Sequence, residues 1–316
     1  MENSKDSYKF QKLICFFLRK NHHWKEIPYN TSKIVSWCYN RDCSLIKKYS
    51  FSSLFTRKDL LFLTLYKNKS KNIIPDTYLL HNGKWFPSVP SKKKTIWFCK
   101  HPYKEGSRGI TVSREVTSFI RLSKENSQYN YVIQPSINDV WLYQDKYKCD
   151  IRLWGVICGD SQRLHLAIFN QGTIRQNPYC YREKSDLLNL QITNSSFFKK
   201  KLPLTKLIKP YSSHEPLYQA SFIPIIQQIK DFWFTYKPVL THKSKEACNK
   251  DIFLELFGFD FIVTKSLRPY LIEINRKPNY HNLPRYRHCV ETMIPTYLEP
   301  LLNHQPFLNH PFWTDI

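Results

Sequence analysis

Residues 254–278, LELFGFDFIVTKSLRPYLIEINRKP, consist of two apolar segments joined by a short polar connection. Segments 254–263 and 270–275 are rich in Phe, Leu, Ile and Val, which favours β-strands, and the connection ends in a proline typical of turns. Alternation along a strand groups Leu256, Gly258 and Asp260 on one face of the first segment, and Leu271, Glu273 and Asn275 on one face of the second. Pairing as a hairpin would place Asp260 opposite Glu273.

Such a hairpin would bring two carboxylates and one amide oxygen together on otherwise apolar strands. Repulsion and desolvation oppose this arrangement unless something compensates for it. A divalent cation would do so, and three hard oxygens suit Mg²⁺ that keeps water and phosphate oxygens as its other ligands. The alternative is that the acids face solvent or nearby Lys and Arg side chains. The spacing alone leaves both interpretations open.

The charge of the chain limits its partners. The 316 residues, enough for two or three domains, include 48 Lys and Arg against 25 Asp and Glu, a net charge of +23. This excess indicates an acidic partner, which could be nucleic acid, an anionic membrane or an acidic peptide. Part of the excess can also reflect a Lys-rich, AT-biased genome, because Asn, Ile and Tyr are frequent too.

The cysteines and the hydropathy pattern indicate the compartment. Nine cysteines occur without a CxxC pair, which favours reduced thiols in an intracellular protein over a disulfide framework or a zinc site. The N-terminus lacks a signal-peptide pattern, and no apolar segment approaches the length needed to span a membrane. We therefore expect a soluble cytoplasmic protein without a membrane partner.

Hydrophobic periodicity outlines the remaining elements. It predicts helices over 51–66, 217–233 and 289–302, and leaves 9–20 as either an amphipathic helix or a buried strand. The predicted strands outside the hairpin are 33–38, 74–80, 95–99, 110–112, 131–134, 145–156, 166–175 and 190–194. Lys58 lies among apolar residues of the first helix, where a lone lysine is most often solvated.

Residues 95–110, TIWFCKHPYKEGSRGI, place a lysine at the end of a strand and two glycines in the loop that follows. Gly106 and Gly109 would let backbone N–H groups approach a phosphate, and Lys100 would supply a positive charge. The loop is neither a Walker A sequence nor a G-x-G-x-x-G fingerprint. A hairpin that simply contains glycine explains it equally well.

Residues 145–156, DKYKCDIRLWGV, predict a strand with one charged face. Alternation places Lys148, Asp150 and Arg152 on that face, and Cys149, Ile151 and Leu153 on the other. A face this rich in charge on a central strand indicates a bound ligand or an internal network of ion pairs.

These segments together resemble the tubulin tyrosine ligase and ligase-like family of ATP-grasp amino-acid ligases. The strongest similarity is ELFGFDFIV followed by YLIEIN, and the segments IWFCKHPYKEGSRGI, YVIQPSI, KYKCDIRLW, GTIR and QITN occur in the family's order. Upstream, HHWKEIPYN and FTRKDLL are similar to the N-terminal region of tyrosine ligase. The resemblance implies an α+β ATP-grasp fold with a small N-terminal α/β domain (1–54), a central domain (55–138) and a C-terminal antiparallel-sheet domain (139–316).

The resemblance also implies roles for individual residues, with ATP and Mg²⁺ as cofactors. It assigns Asp260, Glu273 and Asn275 to Mg²⁺, and Lys100 to phosphates beneath the Gly106/Gly109 loop. Lys58 would be a further cation on the nucleotide or acceptor side, Gln134 and Ile137 would form the adenine hinge, and Lys148 and Asp150 would hold the nucleotide. Arg152, Arg175, Thr193 and Asn194 would face the reacting carboxylate and the incoming amino acid.

In the family's reaction, ATP phosphorylates an acceptor carboxylate and the amine of a free amino acid attacks the resulting acyl phosphate. Tyrosine is the favoured donor because the N-terminal region resembles tyrosine ligase, with glutamate or glycine as the alternatives. The acidic tail of tubulin, or another acidic protein, would be the acceptor for a monomeric enzyme located with tubulin or microtubules. A different class remains open, namely a non-catalytic protein that binds tubulin or nucleic acid, although no RNA- or DNA-binding motif supports nucleic acid.

Four residues depart from the family pattern. Pro135 follows Gln134 where the family usually has Lys, which affects the adenine site. Gln191 replaces the His that precedes the family's LTN motif. Arg276 and Lys277 follow Asn275 in place of small residues, and they would either serve an acidic acceptor or crowd the metal site.

Overall fold

The computed structural model describes residues 25–27, 36–39, 44–47, 52–91, 95–104, 107–159, 163–198, 202–247, 252–276, 278, 284–302 and 305–316. Gly106, Lys277 and the predicted segment 9–20 lie outside these residues, as does part of the predicted strand 33–38.

The described strands are, in chain order, β1 (Lys25–Ile27), β2 (Ser36–Tyr39), β3 (Ser44–Lys47), β4 (Tyr78–His81), β5 (Lys84–Phe86), β6 (Trp97–Lys100), β7 (Ile110–Ser113), β8 (Tyr131–Pro135), β9 (Leu142–Tyr143), β10 (Tyr147–Gly159), β11 (Leu164–Cys180), β12 (Ile208–Tyr211), β13 (Ile252–Val263), β14 (Pro269–Asn275) and β15 (Trp313–Asp315). The α-helices are α1 (Ser53–Thr56), α2 (Lys58–Lys67), α3 (Ser118–Glu125), α4 (Leu188–Gln191), α5 (Ser195–Phe198), α6 (Leu204–Leu207), α7 (Pro216–Ala247), α8 (Pro284–Met293) and α9 (Glu299–Leu302). A 3₁₀ turn (Lys71–Ile73) precedes β4, and a π-helical turn (Ile294–Leu298) joins α8 to α9.

The strands form two sheets. The larger has the order β1-β2-β3-β13-β10-β11-β12, with β14 paired to β13, β15 to β11 and β9 to β10. Its pairs are antiparallel except for β3 and β13, which run parallel. The smaller sheet has the antiparallel order β5-β4-β8-β6-β7. The predicted α+β class with a mainly antiparallel C-terminal sheet is confirmed.

The long central strands of the larger sheet are buried on both faces. On one face, Ile151, Leu153, Phe259 and Phe261 pack in a core that includes α7 residues such as Phe232. On the other face, Trp154, Val156 and Leu256 pack in a second core with α8 residues such as Tyr286. This second face becomes polar toward Asp260, so the candidate site lies beside a packed core on the same surface of the sheet.

The hairpin of β13 and β14 has the predicted pairing, with one irregularity. Asp260 is opposite Glu273, but the next pair is Phe261 with Leu271, so Ile272 is an extra residue that forms a bulge. The bulge reverses the alternation beyond Glu273 and places Leu271 in the core beside Phe261. The prediction that Leu271 shares the face of Glu273 was therefore wrong.

Three other segments differ from the predictions. The helix expected over 51–66 is divided into α1 and α2 by Arg57, whose backbone is extended (φ −81°, ψ 126°). Segment 190–194 is not a strand, because α4 ends at Gln191 and is followed by irregular backbone. The helix expected over 217–233 continues to residue 247 and accommodates Pro224 and Pro238 within its length.

Within the described ranges, no helix combines the length and the apolar character needed to cross a bilayer.

The smaller sheet takes its strands from residues 78–135, and the larger sheet takes strands from residues 25–47 and 142–315. The division into domains 1–54, 55–138 and 139–316 stays a prediction.

Candidate active site

Three polar side chains meet at the end of the β13–β14 hairpin. The Asn275 amide nitrogen Nδ2 lies 2.9 Å from Asp260 Oδ2 and 3.2 Å from Glu273 Oε1. The two carboxylates therefore approach a single point, as the paired register requires. Asp260, Glu273 and Asn275 thus meet as predicted, but the amide nitrogen of Asn275, not its oxygen, faces the carboxylates. Their assignment to Mg²⁺ stays a prediction.

Two arginines bind the same aspartate from neighbouring strands. Arg152 on β10 donates through Nε and Nη2 to the two oxygens of Asp260, each at 2.6 Å. Arg175 on β11 places Nη2 2.9 Å from Asp260 Oδ2 and donates through Nε to Asp150 Oδ1 at 2.5 Å. Gly258 leaves space for this arrangement, because a Cβ there would lie 3.2 Å from Arg152 Nε.

Asp150 connects this network to the segment that follows α4. Besides the bond from Arg175, Asp150 Oδ2 accepts a hydrogen bond from the Thr193 hydroxyl. Thr193 therefore joins the charged face, whereas Asn194 lies at the start of α5, where its carbonyl accepts the Phe197 N–H. The charged face predicted for β10 is real, and Cys149, Ile151 and Leu153 pack in the core on the other side as expected.

Two lysines approach Glu273 from the side of the smaller sheet. Lys58 Nζ, at the start of α2, lies 3.2 Å from Glu273 Oε2. Lys100, at the end of β6, is buried, and burial lowers its pKa to about 8, although Glu273 acts in the opposite direction. Burial alone would raise the pKa of Glu273, but Lys58, Lys100 and Arg152 hold that pKa well below its ordinary value. Glu273 is therefore a largely buried anion, with its side chain 20% exposed, and Lys58 is paired with it rather than solvated as base rates favoured.

Lys148 occupies a pocket of its own beside the charged face. Its ammonium lies 3.0 Å from Gln191 Oε1 and about 5 Å from the ring centres of Phe98 and Tyr181. Gln191 donates its amide hydrogens to the carbonyls of Arg182 and Ser185, so its oxygen must face the lysine. Burial lowers the pKa of Lys148 to about 8.

The charges of the site do not balance. Five cationic side chains surround three carboxylates, and all eight are buried or largely buried: Lys58, Lys100, Lys148, Arg152 and Arg175 against Asp150, Asp260 and Glu273. An uncompensated charge in a protein interior is costly. The excess of positive charge therefore favours an anionic ligand at this place.

Comparison with known proteins assigns the family. The model of the tubulin-tyrosine ligase family matches residues 38–310. The chain belongs to this family. Among individual relatives of the ligase family, human probable tubulin polyglutamylase TTLL2 is 27% identical over 252 residues, covering 71% of this chain and 40% of that protein.

Two further relatives of the tubulin-tyrosine ligase family come from other organisms. Caenorhabditis elegans tubulin polyglutamylase ttll-4 is 25% identical over 254 residues, covering 72% of this chain and 40% of that protein. Tetrahymena thermophila tubulin glycylase 3D is 26% identical over 203 residues, covering 58% of this chain and 19% of that protein. The chain thus spans about two fifths or less of the length of these relatives.

At this site, the side chains present are of a chemical type that can bind Mg²⁺. Carboxylate and amide oxygens suit a hard cation, but here the Asn275 amide turns its nitrogen, not its oxygen, toward the two carboxylates. Asp260 already accepts hydrogen bonds from Arg152 and Arg175. Glu273 and Asn275 therefore have the greater capacity to bind a metal. In the part of the chain that the structure describes, no three His, Cys, Asp or Glu side chains form a metal-binding group. A metal here would depend on the Asn275 oxygen together with phosphate and water.

The proposed adenine hinge is less defined. The Gln134 amide donates to Thr77 Oγ1 at 2.8 Å, and its oxygen accepts from Lys100 at 2.6 Å. Ile137 is half-buried just beyond the end of β8. A cavity of about 10 Å³ lies between Lys58, Lys100 and Gln134, which is large enough for at most one water molecule. The hinge role of Gln134 and Ile137 stays a prediction.

The loop after β6 contains one glycine with a backbone that other residues rarely adopt. Gly109 has φ +78°, and its carbonyl accepts the His101 N–H at 2.9 Å. A Cβ at Gly109 would lie 2.7 Å from Lys104 Cδ and 2.9 Å from His101 Cβ. Glycine is therefore required here for steric reasons. Its lack of a side chain lets the loop stay close to the end of β6, the strand that carries Lys100.

Arg276, one of the departures from the ligase family pattern, forms an ion pair away from the metal cluster. Its Nε lies 2.7 Å from Glu255 Oε1. Glu255 is five residues before Asp260 and therefore points to the opposite face of β13. Arg276 is thus held by a local carboxylate rather than placed between Asp260 and Glu273.

Asn177, which organises the segment carrying Thr193, was not among the residues predicted from the sequence. Asn177 is fully buried, and its amide donates to the carbonyls of Asn189 and Ile192 at 2.8 and 2.6 Å. Its oxygen accepts the Tyr179 N–H at 2.8 Å. The sequence feature that could have identified Asn177 is its position two residues after Arg175, on the same face of an apolar strand.

Proposed function

We propose that the protein is an ATP- and Mg²⁺-dependent ligase that joins an amino acid to a carboxylate of an acidic protein tail. The observation that supports this most directly is the buried excess of positive charge around Glu273, in a member of the tubulin-tyrosine ligase family. Phosphoryl transfer depends mainly on positioning and on neutralising charge, and five buried cations provide both.

The residues divide into two groups in this proposal. Lys58 and Lys100, on the side of the smaller sheet, and Lys148, on β10 of the larger sheet, neutralise phosphate oxygens of ATP. Arg152 and Arg175 face the acceptor carboxylate and the amino acid, since guanidinium forks match carboxylates and developing oxyanions.

A second set of residues holds this machinery in place. Asp150 and Thr193 fix Arg175 on the sheet, which limits its reorientation during the reaction. Glu273 and Asn275 would bind Mg²⁺, with Asp260 beside them. A cation held there would supply positive charge that neutralises the charge developing on the phosphate oxygens.

We propose glutamate as the first donor to test. The names of two relatives, in human and in Caenorhabditis elegans, describe tubulin polyglutamylases, and the Tetrahymena relative is named a tubulin glycylase. Glycine is therefore the second donor, and tyrosine stays a prediction drawn from the N-terminal resemblance.

Tubulin is the proposed acceptor. The relatives' names specify tubulin, and a protein of net charge +23 would be attracted to an acidic peptide tail. This attraction would weaken as the salt concentration rises, because screening shortens the range of the field. We place the reaction in the cytoplasm, with a monomeric enzyme.

The test is incorporation of radiolabelled Glu, Gly or Tyr into purified tubulin with ATP and Mg²⁺. Wild type is expected to incorporate one of the three, and Glu273→Gln is expected to lose most of that activity. Glu125→Gln is the matched control, because Glu125 is an exposed carboxylate on α3 that pairs with Arg121. If wild type and Glu273→Gln bind tubulin equally and neither incorporates an amino acid, the ligase proposal fails and a non-catalytic binding protein is indicated.

A further inference from the structure

Helix α2 holds the start of the loop after β6 at two adjacent residues. The Arg57 guanidinium lies over the ring of Tyr103, with its carbon Cζ 4.4 Å from the ring centre. Lys58 Nζ donates to the Lys104 carbonyl at 3.1 Å. Arg57, just before α2, and Lys58, its first residue, thus bind two successive residues of the loop.

Arg57 is itself fixed in orientation. Its Nε and Nη2 lie 3.2 and 2.7 Å from the two oxygens of Asp59. Asp59 is only 1% exposed, so this carboxylate is a rigid partner. The backbone at Arg57, which separates α1 from α2, is extended. The planar group is therefore held in position before it stacks on Tyr103.

The loop is also bound from its other side. The Tyr103 N–H donates to His101 Nδ1 at 3.2 Å, and the His101 N–H donates to the Gly109 carbonyl. The His101 ring packs 4.3 Å from the ring of Tyr129. The Tyr103 ring is 54% exposed, and its centre lies 6.0 Å from that of the Tyr129 ring. The guanidinium of Arg57 is thus what covers the ring from the side of α2.

The consequence for the site comes through Lys58. The same ammonium that binds the Lys104 carbonyl lies 3.2 Å from Glu273 Oε2. If the loop moved away, Lys58 would lose one of these two acceptors and with it the constraint on its position. The contact between Arg57 and Tyr103 therefore influences the position of the Lys58 ammonium, which lies beside the carboxylate of Glu273.

We propose that Arg57 is a positioning residue for the nucleotide, and that it acts through its stack on Tyr103, which holds residues 101–104 and thereby Lys58. This inference rests on the proposed function, because it takes ATP as the anionic ligand. Arg57 makes no contact with the site carboxylates in this scheme. Its own guanidinium is committed to Asp59 and to the Tyr103 ring.

The first experiment measures ATP affinity in the presence of Mg²⁺ for wild type, Tyr103→Ala and Tyr103→Phe. Tyr103→Ala is expected to weaken binding by about tenfold, in line with a cation–π contact and one ordered loop segment. Tyr103→Phe keeps the aromatic face and is expected to bind ATP as wild type does. Tyr103 is largely exposed, so its removal should leave the fold intact.

Substitutions at Arg57 separate stacking from charge. Arg57→Lys keeps the charge but lacks the planar fork, and it is expected to lose nearly as much affinity as Arg57→Ala. The double variant Arg57→Ala/Tyr103→Ala should be no worse than either single variant, because both remove the same contact. Arg121→Ala is the matched control, since Arg121 is an exposed arginine paired with Glu125 on α3. It should leave ATP affinity unchanged.

The second experiment does not depend on ATP. Amide hydrogen exchange of peptides spanning residues 99–104 should be faster in Tyr103→Ala and Arg57→Ala than in wild type, because the His101 and Tyr103 amides lose protection. Unchanged exchange in both variants would overturn the inference. Faster exchange with unchanged ATP affinity would also overturn it, since the loop would then not position the nucleotide site. If wild type itself fails to bind ATP, the proposed function fails, while the exchange measurement still decides whether the stack holds the loop.

Discussion

Arg152 and Asp260 form a two-point ion pair inside the larger sheet. Nε and Nη2 of the arginine each lie 2.6 Å from a different carboxylate oxygen, and the two residues are direct partners in the β10–β13 register. Asp260 is 2% exposed and also accepts Arg175. One carboxylate thus holds two arginines that come from two different strands.

Removal of that carboxylate should destabilise the protein strongly. Asp260→Ala would leave Arg152 and Arg175 buried with less compensation, which typically costs about 3–5 kcal/mol. The free energy of unfolding, measured by urea denaturation, should fall by that amount. Lys265→Ala, which removes an exposed ion pair with Asp139, should change it by less than about 1 kcal/mol. Equal effects of the two substitutions would contradict a buried network centred on Asp260.

ATP affinity should decrease as the pH rises through 8. Burial lowers the pKa of Lys148 to about 8, so about nine tenths of this lysine would be neutral at pH 9 and would no longer attract phosphate. Loss of the Lys148 charge should raise the dissociation constant for ATP by up to about tenfold between pH 7 and pH 9, and Lys100, whose pKa burial also lowers to about 8, should add to this rise. Lys148→Met should bind ATP weakly at both pH values, with a smaller pH dependence. The same slope in wild type and Lys148→Met would exclude Lys148 as the titrating group.

Titration of Lys148 should change the stability of the fold in the opposite direction, so that stability increases as the pH rises. A lysine with a lowered pKa in the folded state binds fewer protons there than in the unfolded chain, so its contribution to stability increases as the pH rises from about 8 to about 10.4. Below pH 8 its burial is a constant cost. The stability of Lys148→Met relative to wild type should therefore be greatest near pH 7 and should decline toward pH 10, measured by urea denaturation at each pH.

Asn177→Ala should loosen the segment that carries Thr193. The substitution leaves the carbonyls of Asn189 and Ile192 without their buried donor, at a cost of about 1–3 kcal/mol. Hydrogen exchange of residues 189–193 should accelerate, and incorporation activity should fall because Thr193 no longer supports Asp150. Asn170→Ala is the control, because Asn170 lies on the same strand but is half-buried and bonds to Pro311 and Thr314, away from residues 189–193. Unaltered exchange at 189–193 in Asn177→Ala would show that other contacts hold this segment.

Gly109→Ala should reduce both stability and ATP affinity. The positive φ and the approach to Lys104 and His101 make a Cβ strained at this position, at about 1–2 kcal/mol. Gly83 also has a positive φ, and a Cβ there would approach Lys124 on α3. Gly83→Ala should therefore lose stability while it keeps ATP affinity. If both variants bind ATP normally, the loop does not contribute to the nucleotide site.

Local patterns in the chain were sufficient for the parts of the site that lie on single strands or on one hairpin. Period-two alternation placed Lys148, Asp150 and Arg152 together, and the short turn after Val263 allowed only one partner for Asp260. These predictions succeeded because a strand fixes the face of every second residue and a short connection restricts the register. They failed at Leu271, where the bulge at Ile272 has no clear signature in an apolar segment.

Contacts between distant segments could be read only from the folded chain. No spacing rule brings Lys58 to Glu273, Arg57 to Tyr103 or Asn177 to the backbone before Thr193, since each contact depends on how separate elements pack. Likewise, a list of residues reveals that Asp260 and Arg152 are charged, but not that they neutralise each other. The amino-acid order thus specified which groups the site contains, because backbone geometry is local. The partners of those groups were set by packing, because burial and charge compensation act across the whole molecule.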